Sequence, residues 1–188
     1  MFGRRVRVLA ELVADLLPAQ GSVLDVGTGD GSLAVLIGQQ LPGVELTGID
    51  VLVREDTPIA VHAFDGLTIP FGDAAFDAVT LIDVLHHAAN PQRLLTEAAR
   101  VAPVVVVKDH LADRVLAEPT LRFMDRVGNA RHGVDLRYAY WRRDEWLEAI
   151  DHAGLREAAW TQDVPLYPPP FSWLFGRDLH FVARFERV

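Results

Sequence analysis

Hydrophobic residues in this chain form short continuous runs that are separated by stretches with helical spacing. The first run covers positions 23–26 and contains one acidic residue, Asp25. Apolar residues then recur at helical spacing from Leu33 to Leu41, and three glycines at alternate positions separate the two segments. This order predicts a buried strand, a glycine turn and a helix. In such a unit the backbone of the turn is open to a ligand, and the first N–H groups of the helix point towards it.

Further apolar runs and helical repeats continue this alternation along the chain. Strands are predicted at 44–49, 59–63, 76–83, 104–107, 155–164 and 179–185. Helices are predicted at 6–17, 91–101, 116–127 and 146–150. We expect the helix at 116–127 to consist of two pieces that meet at Pro119, and the helical pattern to be broken at 128–133. On the first helix, Arg4, Arg5 and Arg7 are expected to face solvent. Strands that alternate with helices indicate an α/β fold.

Composition limits the class of protein. The 188 residues are half hydrophobic, which is enough for one domain over 1–188, and segments 111–141 and 164–177 are candidate lids or substrate-binding insertions. The absence of cysteine excludes disulfides and thiolate chemistry. The net charge of −8 argues against a broad nucleic-acid surface. Acidic residues interrupt the apolar residues of the first predicted helix, at 6–17. Neither a signal peptide nor a membrane span is therefore expected, and we expect a cytoplasmic protein.

The spacing of the glycine turn distinguishes between two kinds of nucleotide site. In the dinucleotide fingerprint, two residues separate the second and third glycines. Here Gly31 comes one residue early, and Asp25 stands two residues before Gly27. A carboxylate at that point would repel a pyrophosphate and attract an ammonium group. The pattern of Asp25, Gly27, Gly29 and Gly31 resembles motif I of the class I S-adenosylmethionine-dependent methyltransferases, whose cofactor has a sulfonium and an ammonium group but no phosphate.

The resemblance to this family covers residues 20–110 by motif and the rest by strand count. It implies a Rossmann-like, doubly wound, seven-stranded sheet that is mostly parallel, with the last strand antiparallel and helices on both faces. The stretch from Pro70 to His87 is similar to the small-molecule methyltransferases of the ubiquinone-biosynthesis-like group. It lacks the (Asn/Asp)-Pro-Pro-Tyr motif of the N6-adenine and glutamine methyltransferases. The implied function is methyl transfer from S-adenosyl-L-methionine to a small-molecule acceptor, with oxygen or nitrogen as the expected acceptor atom.

Acidic residues at strand ends are the main candidates for cofactor binding. Asp50 ends the second predicted strand, where a carboxylate can accept hydrogen bonds from two ribose hydroxyls, and a helix or loop cap is the alternative. The resemblance implies that Asp65 accepts from the adenine amino group, although a turn before Gly66 explains this residue almost as well. Asp25 is expected near the ammonium group, and Asp83 or Val84 at the methionine end. The predicted cofactor-binding set is Asp25, Gly27, Thr28, Gly29, Asp50, Val51, Phe64, Asp65, Gly66, Asp83 and Val84.

Histidines at the carboxyl ends of the fourth and fifth predicted strands are the candidate catalytic bases, because imidazole accepts protons near neutral pH. We favour His110, which follows Lys108 and Asp109, over His86 and His87, which are explained equally well as a structural pair. A polar strand end in which Lys108 and Asp109 pair with each other is the alternative for that segment. No fixed ligand spacing indicates a metal, so none is predicted.

Two other functions fit parts of the pattern. A non-catalytic module that binds S-adenosylmethionine or a nucleotide would keep Asp50 and the glycines and would need no base. An NAD-dependent oxidoreductase would also use a ribose-binding acid, but the early third glycine and Asp25 argue against it. The identity of the acceptor and the oligomeric state stay open.

Overall fold

Seven strands and six helices make up the part of the chain that the computed structural model describes, which is residues 2–129, 139–176 and 178–188. The strands are β1 (Gln20–Val26), β2 (Gly43–Asp50), β3 (Val61–Ala63), β4 (Ala78–Ile82), β5 (Val104–His110), β6 (Leu155–Thr161) and β7 (His180–Arg187). The helices are α1 (Phe2–Ala14), α2 (Ser32–Gln40), α3 (Pro91–Val101), α4 (Ala117–Asn129), α5 (Arg143–His152) and α6 (Ser172–Phe175). A short 3-10 turn, Leu85–His87, follows β4.

The strands form one sheet in the order β3-β2-β1-β4-β5-β7-β6. Strands β1 to β5 are parallel to one another, and β7 is antiparallel to both of its neighbours, β5 and β6. The predicted seven-stranded, mostly parallel sheet with an antiparallel last strand is therefore confirmed. The chain order reverses between β1 and β4, so the crevice at the carboxyl ends of these two strands is where an open α/β sheet binds its ligands.

Both faces of the sheet are covered, because consecutive residues of each strand point to opposite sides. On one side, Leu24 of β1 packs in a core with Leu94 of α3 and Trp146 of α5. On the other side, Val23 packs in a second core with Val13 of α1 and Ile37 of α2. The prediction of helices on both faces is confirmed.

Local signals explain where several elements begin and end. The side chain of Asn90 accepts a hydrogen bond from the backbone N–H of Arg93, which caps α3 in front of Pro91. At the other end of the fold, Gly154 adopts a positive φ of 71° after α5, which is a conformation that favours glycine.

Three predictions for the second half of the chain differ from the structure or lie partly outside the described residues. The two-piece helix is wrong: Pro119 lies in the first turn of a single helix, α4, where its missing N–H costs no hydrogen bond. The sixth strand ends at Thr161, before the predicted Val164. Much of the predicted break at 128–133 and of the candidate lid at 111–141 lies outside the described residues. Within the described part, no helix has the length and apolar character that a membrane crossing requires.

Candidate active site

A cavity of about 300 Å³ lies at the carboxyl ends of β1, β4 and β5, and α1 and α4 contribute to its wall. Its volume is at the lower end of the range for small-molecule sites. Seven of the residues selected from the sequence line it: Asp25, Gly27, Thr28, Asp83, His86, His87 and His110. The fold thus brings the first half of the glycine turn and all three candidate bases to one place.

The other predicted cofactor residues lie beside the cavity. Asp50 ends β2, and its carbonyl accepts a hydrogen bond from the N–H of Phe64, which follows β3. A side chain added to Gly66 would contact Val51, so these two residues are also neighbours. The carboxyl ends of β2 and β3 therefore form a second patch, next to the glycine turn.

Two glycines of the turn are required for different reasons. Gly27 has a φ of 71°, and a Cβ there would lie 2.5 Å from a methyl group of Val84, so this glycine lets the turn pack against the chain after β4. Gly29 has a φ of 62°, and a Cβ there would face open space, with only Arg54 Nη2 at 3.9 Å. The backbone at Gly29 is consequently open to a ligand, whereas Val84 serves as packing for the turn.

Asp50 holds the glycine turn in place. One carboxylate oxygen accepts a hydrogen bond of 2.8 Å from the N–H of Gly29, and the other accepts one of 2.8 Å from the N–H of Leu52. A carboxylate has about four acceptor positions, so two remain for a ligand. These two free acceptor positions fit the two ribose hydroxyls of S-adenosylmethionine.

Asp65 makes the turn contacts that its alternative interpretation predicts. Its carboxylate accepts hydrogen bonds from the N–H groups of Leu67 (2.8 Å) and Thr68 (2.7 Å), and these hold its pKa below the ordinary value. The side chain is exposed at the rim of the β2–β3 patch. It can still accept from an adenine amino group, since its second oxygen is not used by these bonds.

Asp25 is a buried acid at the cavity. Its side chain is 3% exposed, and it accepts a hydrogen bond of 2.6 Å from the hydroxyl of Thr80. Burial raises the pKa of the Asp25 carboxyl, and the hydroxyls of Thr80 and Thr28 offset this only in part. An ammonium group placed next to Asp25 would favour its charged form, so this residue fits the role that was predicted for it.

Asp83 is held by two cations. It follows β4 with a positive φ of 58°, and its carboxylate pairs with the fully buried ammonium of Lys108 and, at 2.8 Å, with the guanidinium of Arg5. Although burial raises it, the pKa of Asp83 lies well below its ordinary value because Lys108 and Arg5 are so close. The expectation for Arg5 is therefore wrong, because its guanidinium pairs with Asp83, whereas Arg4 and Arg7 are exposed as expected. The alternative in which Lys108 pairs with Asp109 is also wrong, since Lys108 pairs with Asp83.

Asp109 connects two histidines at the floor of the cavity. One of its oxygens lies 2.6 Å from Nδ1 of His86 and 3.1 Å from Nδ1 of His110, and the other accepts from the N–H of Leu85. Burial raises the pKa of Asp109, but the two histidines lower it by more, so it is an anion. Asp109 thereby fixes the orientation of both rings.

The three candidate bases differ in their protonation. Burial lowers the pKa of His86, but Asp109, Asp83 and Asp125 outweigh this and raise it, which favours the imidazolium form. Burial and the neighbouring His86 lower the pKa of His87 to about 4. Burial and Lys108 lower the pKa of His110, which is therefore neutral at pH 7.

His110 combines a lowered pKa with a hydrogen bond that orients its ring. With Nδ1–H donated to Asp109, its Nε2 carries the basic lone pair, and Nε2 makes no hydrogen bond with any residue in the described ranges. His86 is engaged at both nitrogens, by Asp109 at Nδ1 and by Asp125 at 3.5 Å from Nε2. The geometry therefore supports the preference for His110 as the base.

Four further residues complete the cavity or its floor and were not selected from the sequence. Asp125 of α4 contacts His86, and its carboxylate accepts a hydrogen bond from Tyr140. Tyr167 lines the cavity from the segment before α6. His180 of β7 lies beside His110, with ring centroids 5.0 Å apart. Asp125 and Tyr140 belong to the candidate insertion at 111–141 and Tyr167 to that at 164–177, so their segments had a sequence signal. His180 had none.

Side chains of the kinds that bind metals are present, but neighbouring groups already neutralise their charges. Asp83, His86, Asp109 and His110 have ligand atoms within 4.8 Å of one another. A divalent cation would have to displace the fully buried Lys108 from Asp83 and the imidazolium of His86 from Asp109, which is a buried pair. These charges explain the cluster as a hydrogen-bonded network.

Comparisons with known proteins assign this fold and cavity to one family. Residues 1–159 match the family model described as a methyltransferase domain. The chain is 31% identical over 157 residues to an uncharacterized methyltransferase of Mycobacterium tuberculosis, which covers 79% of this chain and 70% of that protein.

Two characterised relatives are more distant or match a shorter part. A demethylmenaquinone methyltransferase of Thermus thermophilus is 32% identical over 90 residues, which is 42% of this chain and 41% of that protein. The 27-O-demethylrifamycin SV methyltransferase of Amycolatopsis mediterranei is 27% identical over 185 residues, which is 88% of this chain and 65% of that protein.

A solved structure confirms the fold independently of sequence. A S-adenosylmethionine-dependent methyltransferase from Methanosarcina mazei superimposes with a TM-score of 0.66 over 94% of this chain and 97% of that one, at 14% identity.

Proposed function

Because this chain belongs to the class I S-adenosylmethionine-dependent methyltransferases, we propose that it methylates a small-molecule acceptor on oxygen or nitrogen, with His110 as the base. The observation that carries this proposal is the His110–Asp109 pair in the cavity next to the glycine turn. Both characterised relatives are named for methylation of small molecules. The net charge of −8 also favours a small molecule over a nucleic acid.

The two patches around the glycine turn would hold the two ends of the cofactor. In this proposal, Asp50 binds the ribose, with Val51, Phe64, Asp65 and Gly66 around the adenine. The cavity side binds the amino-acid end, where Asp25 faces the ammonium group and Gly27, Thr28 and Asp83 surround it. Gly29 lies between the two patches, where its open backbone faces the ligand.

When bound, the cofactor supplies an electrophilic methyl group and leaves as a neutral thioether. The chain has to align the acceptor with that methyl group and, for a hydroxyl or protonated nitrogen, to take up its proton. His110 Nε2 accepts this proton, and Asp109 stabilises the imidazolium that forms through the hydrogen bond to Nδ1. The acceptor electron pair that is released forms the new bond to carbon.

His86 in its protonated state links Asp109 to α4. With its proton, it donates to Asp109 and places a positive charge 3.5 Å from the carboxylate of Asp125, so it connects β5 to α4. It cannot act as a base in this form. His87 has its pKa lowered to about 4, so it is neutral, and it lines the cavity.

Calorimetry and a transfer assay test this proposal together. We expect adenosylhomocysteine to bind to the full chain and NAD not to bind. Radiolabelled S-adenosylmethionine should then give labelled product with at least one member of a panel of phenols, catechols and amines. Binding without transfer to any member would favour the non-catalytic module, and binding of NAD alone would favour an oxidoreductase.

A further inference from the structure

An apolar groove lies on the outer side of α4, close to the cavity. It is formed by Leu116 before α4, by Pro119, Thr120 and Phe123 on the first turns of α4, and by Phe175 of α6. Its volume is about 270 Å³, and its lining is almost entirely apolar. None of these residues has a role in the methyl-transfer site described above.

Apolar side chains that line the groove stay largely exposed to solvent in the described part of the chain. Leu116 is 65% exposed and Phe123 is 57% exposed. The rings of Phe123 and Phe171 each stack against that of Phe175, with centroids 6.5 Å apart and interplanar angles of 11° and 8°. Contiguous exposed surface of this kind marks a binding site more often than isolated apolar residues do.

One aromatic wall is shared by the cavity and the groove. Tyr167 lines the cavity, and its ring contacts that of Phe175, which lines the groove, with centroids 5.6 Å apart. On α4, Phe123 faces the groove and the next residue, Met124, faces the cavity. The groove is therefore an apolar surface that adjoins the cavity across this wall.

The charges around the groove favour an uncharged occupant. Arg114 pairs with Asp178, and Arg122 pairs with Glu118 one turn along α4. These arginines are already neutralised by acidic neighbours, so they offer little attraction to an anionic phosphate or lipid headgroup. The apolar rings are left as the main source of binding energy.

We propose that this groove binds an apolar substituent of the methyl acceptor while the hydroxyl or amino group that reacts lies near His110. The acceptor class is then amphipathic: one polar reacting group joined to a hydrocarbon chain or ring system. This inference rests on the proposed function for the identity of the reacting group. The groove contributes affinity and takes no part in proton transfer, so its variants affect binding of the acceptor and not of the cofactor.

A series of 4-alkylphenols, from methyl to hexyl, tests the groove directly. Binding to the full chain saturated with adenosylhomocysteine is measured by calorimetry. We expect affinity to rise about two- to fourfold for each added methylene, because each one removes apolar surface from water. In Phe123→Ser this dependence on chain length should become nearly flat, while affinity for adenosylhomocysteine stays unchanged.

Leu147→Ser on α5 is the control, since it also replaces a partly exposed apolar side chain, 39% exposed, and no residue of α5 lines the groove. Equal chain-length dependence in the wild-type chain and Phe123→Ser would overturn the proposal. Flotation with neutral phosphatidylcholine vesicles that is lost in Phe123→Ser would also overturn it, in favour of a membrane-docking surface. Failure of the proposed function is seen separately, as absence of adenosylhomocysteine binding or of any methyl transfer.

Discussion

The carboxylate of Asp109 lies 2.6 Å from Nδ1 of His86, and this contact connects the end of β5 to the turn after β4. Both side chains are buried, so the pair is shielded from water and salt. The same oxygen of Asp109 also serves His110. A single anion therefore sets the protonation of one histidine and the orientation of another.

Loss of the proposed base should reduce turnover without loss of cofactor. His110→Ala is expected to lower turnover by roughly 10²–10⁴-fold, because a positioned base contributes about this much. Affinity for adenosylhomocysteine, measured by calorimetry, should stay nearly unchanged. His87→Ala is the control and should retain most activity. Full activity in His110→Ala would show that the acceptor arrives already deprotonated, and a loss confined to His87→Ala would move the base to that residue.

The rate should form a plateau around neutral pH. His110 must be neutral, and its pKa is lowered, so the rate rises through a value below the ordinary 6.5. His86 must be protonated, and its pKa is raised, so the rate falls as the pH exceeds that higher value. In the kcat/KM profile of Asp109→Asn the falling limb should move to lower pH, since the anion that does most to raise the pKa of His86 is removed. A rising limb above pH 7 in the wild-type chain would contradict this assignment.

Removal of the ribose-binding acid should weaken cofactor binding. Asp50→Ala is expected to cost about 1–3 kcal/mol in affinity for adenosylhomocysteine, which is the cost of a lost charged hydrogen-bond partner. Asp65→Ala, which removes an exposed carboxylate from the same patch, should cost less. The melting temperature without ligand shows whether either chain still folds. Equal affinity in a folded Asp50→Ala chain would remove this residue from the site.

The buried lysine should matter for stability. Lys108→Met leaves Asp83 with Arg5 as its remaining cationic partner, and we expect a loss on the order of 3 kcal/mol in the free energy of unfolding. Denaturant titration measures this loss. The double variant Lys108→Met with Asp83→Asn should recover part of it, because the carboxylate that Lys108 neutralises is then removed as well. Two single losses that simply add in the double variant would show that the two residues act independently.

Stability should decrease as the pH falls below about 6.5. His87, His110 and His180 all have lowered pKa values, with that of His87 at about 4, so the unfolded chain takes up protons that the folded chain does not. His86 has the opposite sign: its contribution is complete below about pH 6.5 and is lost as the pH rises through its raised pKa. Melting temperatures between pH 4.5 and 8.5 check both limbs, and His87→Gln should flatten the acidic one.

The sequence predicted those parts of the site that depend on local patterns. The order of strands and the glycine turn follow from periodicity and spacing, which are visible within a few residues. Arg5, Asp125 and His180 reach the site from helices and a strand that are 39 to 78 positions away from their partners Asp83, His86 and His110, and only packing brings them there. Arg5 stands in one basic cluster with Arg4 and Arg7, so nothing in the sequence marks it as the partner of Asp83.

The position of β7 between β5 and β6 has a consequence for synthesis on the ribosome. Along β5, His110 pairs with His180, and Val104 pairs with Glu186. Until β7 has been synthesised, β5 is an open edge and β6 has no neighbour in the sheet, so the strand that carries Lys108, Asp109 and His110 can pair with other chains. A chain that stops between β6 and β7 would therefore aggregate and would not be a partially active enzyme.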